Sequence, residues 1–254
     1  MAERDAATPL VSVVVPFFQS ERHIGACIES LLAQRDVGGP FEVILIDNGA
    51  RDRSAEIARG YDGITLLAES APGAYAARNT GIRRAAAPII ALTDADCVAD
   101  PDWLRAVLDG MRDPAVGALI GHCRYPREAS PLLHLLGAYE NAKARYVLER
   151  APAHWFAYAN NMAVRRALFD ELGPFREWKR AGDSEFVHRM AAARPELRLE
   201  FRAAMRVTHL EFVRGLARAR RLSLYTETNQ QIGTFRELTV WQRLGVLGRM
   251  PWRR

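Results

Sequence analysis

Over roughly its first hundred residues the chain alternates short β-rich apolar runs with stretches whose apolar residues recur at helical spacing, and this alternation limits the fold more than any other feature. Val11 to Val15 (VSVVV) is a nearly continuous apolar run ended by Pro16. The next stretch carries Ile24, Cys27, Ile28 and Leu31 on one helical face, with Ser20 as a candidate cap. Phe41 to Ile46 (FEVILI) gives a second strand, which runs into the polar turn DNGARDRS and a further short helix. A strand near Ile64 to Leu67, a helix over Tyr75 to Ala86 and a strand from Ile89 to Thr93 closed by DAD complete the series. Strands apolar along their whole length are covered on both faces, and strands joined through helices run parallel. The order β-α-β-α-β-α-β therefore predicts an α/β fold with a Rossmann-like, mostly parallel sheet and helices on both faces. Such sheets bind ligands beyond the carboxyl ends of their strands, near a topological switch point. The residues to read for chemistry are Pro16 to Gln19, Asp47 to Asn48, and Asp94 to Asp96.

The second half is less regular. A helical stretch covers about Leu132 to Leu148 and the segment HWFAYANNMAVRR follows. A helix from Asp183, a strand near Leu197 to Phe201 and a long basic helix from Glu211 complete it. Composition shifts near Pro126 to Pro131 and near Gly173 to Arg180, but no low-complexity linker or internal repeat divides the chain. The expected organisation is one domain over 9–210, in which 105–210 completes a site begun by 9–104, and a basic helical extension over 211–254.

With 49% hydrophobic and 26% charged residues among 254, the chain is an ordinary globular one, not a disordered or collagen-like one. Lysine occurs only at Lys143 and Lys179, so 33 of the 35 basic residues behind the net charge of +5 are arginine. Arginine grips phosphate bidentately, which suits anionic donors or anionic lipid. No dense basic tract with interleaved aromatics points to nucleic acid. Cys27, Cys97 and Cys123 are widely spaced and odd in number, against a disulfide framework or a zinc site. The first residues, MAERDAATPL, hold no apolar stretch of signal-peptide length and no window reaches about 18 apolar residues, so a cytoplasmic protein is expected. Arg214, Arg218, Arg220 and Arg221 fall on a helical pattern after Glu211. That helix either packs on the core with its arginines exposed or makes peripheral contact with an anionic membrane at its inner face.

Asp94 and Asp96 carry the chemistry. In an extended segment i and i+2 point to the same side, so both carboxylates converge on one ligand. A pair of this kind suits a hard divalent cation, Mg²⁺ or Mn²⁺, shared with substrate phosphates, although D-x-D alone also arises on solvated loops. Asp47 ends the second strand and either accepts a hydrogen bond from a base or ribose or simply opens an Asx turn at DNG. Arg78 lies either toward the same cleft, where it neutralises donor charge, or on a solvated helix face.

VSVVVPFFQ, FEVILIDNGARDRS, GAYAARNTGIRRA and IIALTDADCVADPDWL resemble, in this order, the successive blocks of the family 2 glycosyltransferases of the GT-A fold. NNMAVRRALFDELGPF and AGDSEFVHRM resemble that family's acceptor-side and catalytic-base segments, extending the likeness to about residue 190. The resemblance implies an inverting, metal-dependent transfer of a sugar from a nucleotide-diphosphate donor, with a lean toward UDP, to an acceptor hydroxyl on a glycan or lipid-linked molecule. It places Pro16 and Phe17 against the nucleotide, Asp47 at the base, Arg78 near the nucleotide, Asp94 near the ribose or metal shell, and Asp96 on the metal.

Asp183 matches the aspartate of the family's E-D pair, the general base, but Gly182 stands where the glutamate belongs. That departure leaves Glu185 as a second acid on the acceptor side, while Asp183 at a helix start also reads as an N-cap. His209 resembles a histidine that completes the metal or diphosphate site, or is structural. Asn161 either touches an acceptor hydroxyl or is a buried, satisfied amide. Two other functions compete. A sugar-phosphate nucleotidyltransferase would need a Gly-rich phosphate loop after the first strand, which VVVPFFQSER lacks. A degenerate binding protein on the same fold is favoured by Gly182 and disfavoured by the retained aspartates. The absence of a Q-x-x-R-W segment points to single transfers and not to polymerisation.

Overall fold

The computed structural model of the chain describes residues 8–150 and 155–211. Strand β1 (Val11–Phe17) is buried at every position. It pairs in parallel with β2 (Phe41–Asp47) along its whole length, but with β4 (Ile89–Thr93) only from Val11 to Val14. Pro16 lies beyond the last β4 partner, where its missing N–H breaks no ladder on that side, so the strand continues through Pro16 to Phe17. β3 (Ile64–Ala68) adds in parallel to the far edge of β2. The crossovers carry α1 (Ile24–Leu32), α2 (Ser54–Arg59) and α3 (Ala74–Arg84). Ser20 serves α1 through its carbonyl, which accepts the His23 and Ile24 N–H groups, while its hydroxyl turns to the Phe18 carbonyl. The direction of winding reverses between β1 and β4, which makes their carboxyl ends the switch point.

The second half completes the sheet through β5 (Cys97–Ala99), α4 (Trp103–Gly110), β6 (Val116–Arg124), α5 (Pro131–Arg150), β7 (Asn161–Arg165), α6 (Arg166–Leu172), α7 (Gly182–Ala193) and β8 (Arg198–His209). The eight strands lie in the order β3-β2-β1-β4-β7-β6-β8-β5. β7 runs antiparallel to both β4 and β6, β5 runs antiparallel to β8, and β6 and β8 are parallel. The sheet is thus mixed but mostly parallel, as expected, with one continuous parallel part in β1 to β4 and a further parallel pair in β6 and β8. β8 extends well past Phe201, to His209, and brings that histidine opposite Cys97.

Alternate residues feed two cores. Val14, Ile44 and Ile46 meet apolar residues of α3, α5, α6 and α7 on one face, whereas Val13, Val15, Val43 and Leu45 meet those of α1, α2 and α4 on the other. Gly81 lets α3 lie close on the sheet, since a Cβ there would stand 2.5 Å from Val14 Cγ1 and 2.7 Å from Ile46 Cδ1. Among the described residues no helix is long and apolar enough to cross a membrane. The basic extension expected over 211–254, apart from Glu211 itself, lies outside the described residues.

Candidate active site

A cleft of about 610 Å³ opens at the switch point, within the size range of small-ligand sites. Its walls include Pro16 and Phe17 from β1, Asn48 after β2, Arg78 from α3, both Asp94 and Asp96, and Glu211 after β8. Asn48 fixes the lip. Its Nδ2 donates to the carbonyls of Glu69 (3.0 Å) and Ala71 (2.7 Å), and its Oδ1 accepts the Gly73 N–H (2.8 Å). Gly73 takes φ +128°, a conformation that side chains resist, so the loop turns sharply into α3. Asp47 adopts the Asx-turn geometry, with Oδ1 accepting the Ala50 N–H at 2.8 Å, and it stands just outside the cleft lining.

Arg78 is buried, 5% exposed, which removes the reading as a solvated helix face. Its guanidinium makes a close ion pair with Asp94 and lies 5.3 Å from the centre of the Tyr75 ring. The DAD segment is a turn and not an extended strand, closed by the Cys97 N–H on the Asp94 carbonyl at 3.0 Å. The two carboxylates therefore part company instead of converging as strand alternation predicted. Asp94 goes to Arg78, and Asp96 goes to His209, with 3.5 Å between Oδ2 and Nε2.

That second pair has the character of a cation site. Asp96, Cys97 and His209 present ligand atoms within 4.8 Å of one another. Burial pushes the Asp96 carboxyl above its usual range; His209 opposes this, while Asp94 and a hydrogen-bonded Glu211 add to it. Carboxyls crowded in this way are relieved by a cation. Burial also raises the Cys97 thiol well above its ordinary value, so it stays protonated and is a poor ligand for a hard ion. His209 Nδ1 is buried with no hydrogen-bond partner among the described residues. The donor set fits a hard divalent ion.

Asp183 is buried in the first turn of α7, with Ala181 at the cap position in place of the N-cap role open to Asp183 itself. Its Oδ2 accepts the Ala159 N–H at 2.9 Å, its Oδ1 accepts the Ser184 N–H at 2.8 Å, and the Tyr75 hydroxyl donates to it as well. A carboxylate has about four acceptor positions, so about one remains. Burial raises its pKa, against which the two amides, the nearby Arg78 and Tyr75 all act. Asp183 does not line the cleft; it lies behind Arg78 and Tyr75.

The two expected acceptor-side residues are corrected by their surroundings. Asn161 has no exposed surface: its Oδ1 accepts the Trp103 indole N–H at 2.9 Å, and its Nδ2 donates to the carbonyls of His122 (3.2 Å) and Met205 (3.0 Å). It ties three parts of the core together and has nothing left for a sugar. Glu185 is also buried and is held by Arg176 and Arg189, each at 3.0 Å. It anchors α7 to the segment before it.

Two residues were not singled out from the sequence. Glu211 stands two positions after His209 in HLE, which is same-side spacing, but it read as the start of a helix. Tyr75 read only as the first residue of the helix over Tyr75 to Ala86. Its signal was Gly182: a Cβ at 182 would lie 3.2 Å from two Tyr75 ring carbons and 2.8 Å from the Arg176 carbonyl oxygen. The Tyr75 ring fills the space that a side chain at 182 would need, and its hydroxyl reaches the neighbouring Asp183.

An open α/β sheet with a polar cleft at its switch point and acids at the strand ends marks a protein of the ligand-binding α/β class. The glycosyl transferase family 2 model matches residues 12–173, and the chain belongs to that family. The match includes Arg78, Asp94 and Asp96 and stops short of Asp183 and His209. The chain is 29% identical over 174 residues to glycosyltransferase AglE of Haloferax volcanii, an alignment covering 66% of this chain and 56% of AglE. It spans less than two thirds of that relative and of the other curated relatives it matches. Its fold is similar to that of the mannosyltransferase PcManGT from Pyrobaculum calidifontis, solved with GDP-Man and Mn²⁺ (TM-score 0.69, 21% identity, 97% of this chain and 77% of that one). It is also similar to glucosyl-3-phosphoglycerate synthase from Mycobacterium tuberculosis, solved with Mn²⁺, UDP and phosphoglyceric acid (TM-score 0.63, 16% identity, 89% and 80%). The expected GT-A fold is therefore present.

Proposed function

We propose that this chain transfers a sugar from a nucleotide-diphosphate donor, UDP before GDP, to an acceptor hydroxyl with inversion at the anomeric carbon. The observation that carries the reading is Arg78, which pairs with Asp94 on the cleft wall and acts on Asp183 behind it, joining a donor site to a buried base. Family membership and two similarly folded proteins solved with Mn²⁺ and GDP-Man or UDP support it. Asp96, with His209 and Glu211 beside it, would hold a divalent ion, Mn²⁺ or Mg²⁺, which when bound supplies positive charge against the diphosphate leaving group. Pro16 and Phe17 would flank the nucleotide, and the Asp47 oxygen left over from the turn would accept the N3 hydrogen of uracil. Asp183 would take the proton of the acceptor hydroxyl at its remaining acceptor position, its raised pKa making it a stronger base than an exposed aspartate. Tyr75 and the two backbone amides hold that carboxylate in one orientation.

The test is a thermal-shift screen of nucleotide sugars with and without Mn²⁺, followed by donor turnover. A donor at 100 times its dissociation constant should stabilise the fold by roughly 2.7 kcal/mol. Metal-dependent stabilisation with turnover is the expected result. Stabilisation without turnover would indicate a binding protein on this fold, and no response to any nucleotide would reject the proposal.

A further inference from the structure

A second cavity, of about 360 Å³, opens between the carboxyl end of β6 and helix α5. Its charged lining is of one sign, Arg124 from β6 and Arg145 from α5, joined by the imidazoles of His122 and His134, with no carboxylate among the lining residues. Residues 134, 138, 141 and 145 recur every three or four positions, so one face of α5 is turned to the cavity. Asn141 fixes the gap, accepting the Cys123 N–H at 3.0 Å and donating to the Cys123 carbonyl at 2.6 Å. Arg124 is braced from behind by Thr208 (3.0 Å) and by Asp100. Arg145 lies 5.4 Å from the Phe201 ring centre and makes no ion pair with a described residue.

The surplus of positive potential is felt inside the cavity. Burial holds His122 below its ordinary pKa, and Arg124, Arg145 and Arg206 push the same way, with Asp100 opposing. A pocket with this balance is completed by an anion. It adjoins the proposed reaction site, because the ring of Tyr125, the next residue after Arg124, lies tilted beside the His209 ring with 6.4 Å between centres. Two guanidinium and two imidazole groups suit an oxyanion with several acceptor oxygens, and the volume leaves room for what is esterified to it. Leu132 and Leu135, on the first turns of α5 beside His134, are 65% and 42% exposed.

We propose that this cavity holds the phosphate group of a phosphate-bearing acceptor. The assignment rests on the glycosyl-transfer reading and names the acceptor's class. The phosphate belongs either to a lipid carrier, for which the exposed leucines provide an apolar flank, or to a water-soluble phosphorylated molecule.

The full chain is saturated with UDP or GDP and Mn²⁺, so that the donor cleft is filled, and then titrated with decyl phosphate, ethyl phosphate and decanol. Saturable binding of a phosphate and not of decanol is expected. It should weaken about tenfold or more in Arg145→Gln and His134→Gln, be largely kept in Arg145→Lys, and leave nucleotide affinity unchanged in all three. Decyl phosphate bound much more tightly than ethyl phosphate supports the lipid source; equal affinities support the soluble one. Binding of neither phosphate, or binding indifferent to both substitutions in variants that melt like the parent, overturns the proposal. If the glycosyl-transfer reading is wrong, the failure shows instead as absent Mn²⁺-dependent nucleotide binding by the parent chain.

Discussion

Gly182→Ala gives opposite signs depending on whether Tyr75 fills the space beside Gly182. A glycine inside a helix, replaced by alanine in open surroundings, gains about 1 kcal/mol because the unfolded chain loses freedom. Gly182 is in the first turn of α7 and has no positive φ, so its backbone alone would welcome the change. The new Cβ, however, would meet the Arg176 carbonyl oxygen at 2.8 Å and the Tyr75 ring at 3.2 Å on two carbons. A backbone oxygen does not yield like the end of a flexible side chain, and the Tyr75 ring is itself backed by Phe175 at 5.6 Å. Overpacking of this kind costs about 1–3 kcal/mol. For a domain of this size that lowers the melting temperature by about 2–12 °C. Urea and thermal unfolding of Gly182→Ala measure it, and a cycle with Tyr75→Ala should give a coupling above about 0.5 kcal/mol, since the ring is one of the two obstacles. A Gly182→Ala protein as stable as the parent or more so would refute the packing argument and, with it, the account of why glycine replaces the family's glutamate.

Other outcomes follow from the same geometry. Asp183→Asn should lower kcat by about 10² to 10⁴ while the donor Kd stays within about threefold; Glu185→Gln should keep the rate and instead lose about 1–3 kcal/mol of stability, its ion pairs being structural. Because burial raises the Asp183 pKa, kcat should climb as pH rises through that raised value, and the carboxyl's contribution to stability, complete below the unfolded-state pKa, should fade over the same interval. Tyr75→Phe removes a hydrogen bond that favours the ionised form, so the acid limb of the kcat profile should move to higher pH; an unmoved limb would exclude Tyr75 as a positioning residue. Asp96→Asn should abolish the Mn²⁺ dependence of nucleotide binding measured by calorimetry, and retained dependence would take Asp96 out of the metal site.

The parallel half of the fold was legible because β1, β2 and β4 are largely buried and read as nearly continuous apolar runs. β6 was missed because Gly117 and Gly121 look like breakers, yet both are required by packing: a Cβ at 117 would stand 2.8 Å from Met190 Sδ, and one at 121 would collide with Asn161. β5 has three residues, too few for any periodicity. β7 is a short run inside NNMAVRR, and its antiparallel direction depends on a partner that the local sequence does not name. At the site, the acids were legible and their partners were not. A D-x-D pair reads as convergent only if its backbone is extended, and here a turn sends one carboxylate to an arginine sixteen residues earlier and the other to a histidine far along the chain.

Burial alone does not separate catalytic candidates from structural polar residues here, since Asn161, Glu185, Arg78 and Asp183 are all buried. Completeness of hydrogen bonding narrows them, although outside the cleft atoms such as Trp155 Nε1 and Arg202 Nε are also buried without a hydrogen-bond partner among the described residues. The Asn161 amide is used at both ends and Glu185 is clasped by two arginines, so neither has capacity to spare for a substrate. On the cleft wall and beside it, by contrast, Arg78 Nε and His209 Nδ1 are buried without a hydrogen-bond partner among the described residues, and Asp183, behind Arg78, keeps about one acceptor position. Leaving a buried donor or acceptor unpaired costs about 1–3 kcal/mol, which folding alone would have no reason to accept at adjoining points. Under the proposed function, a ligand rich in oxygen acceptors, with a cation to offset its charge and a hydroxyl to be deprotonated, would supply what these groups lack. On this ground we assign the proposed site to Arg78, Asp96, Asp183 and His209 and leave out Asn161 and Glu185, whose bonding the protein has already completed.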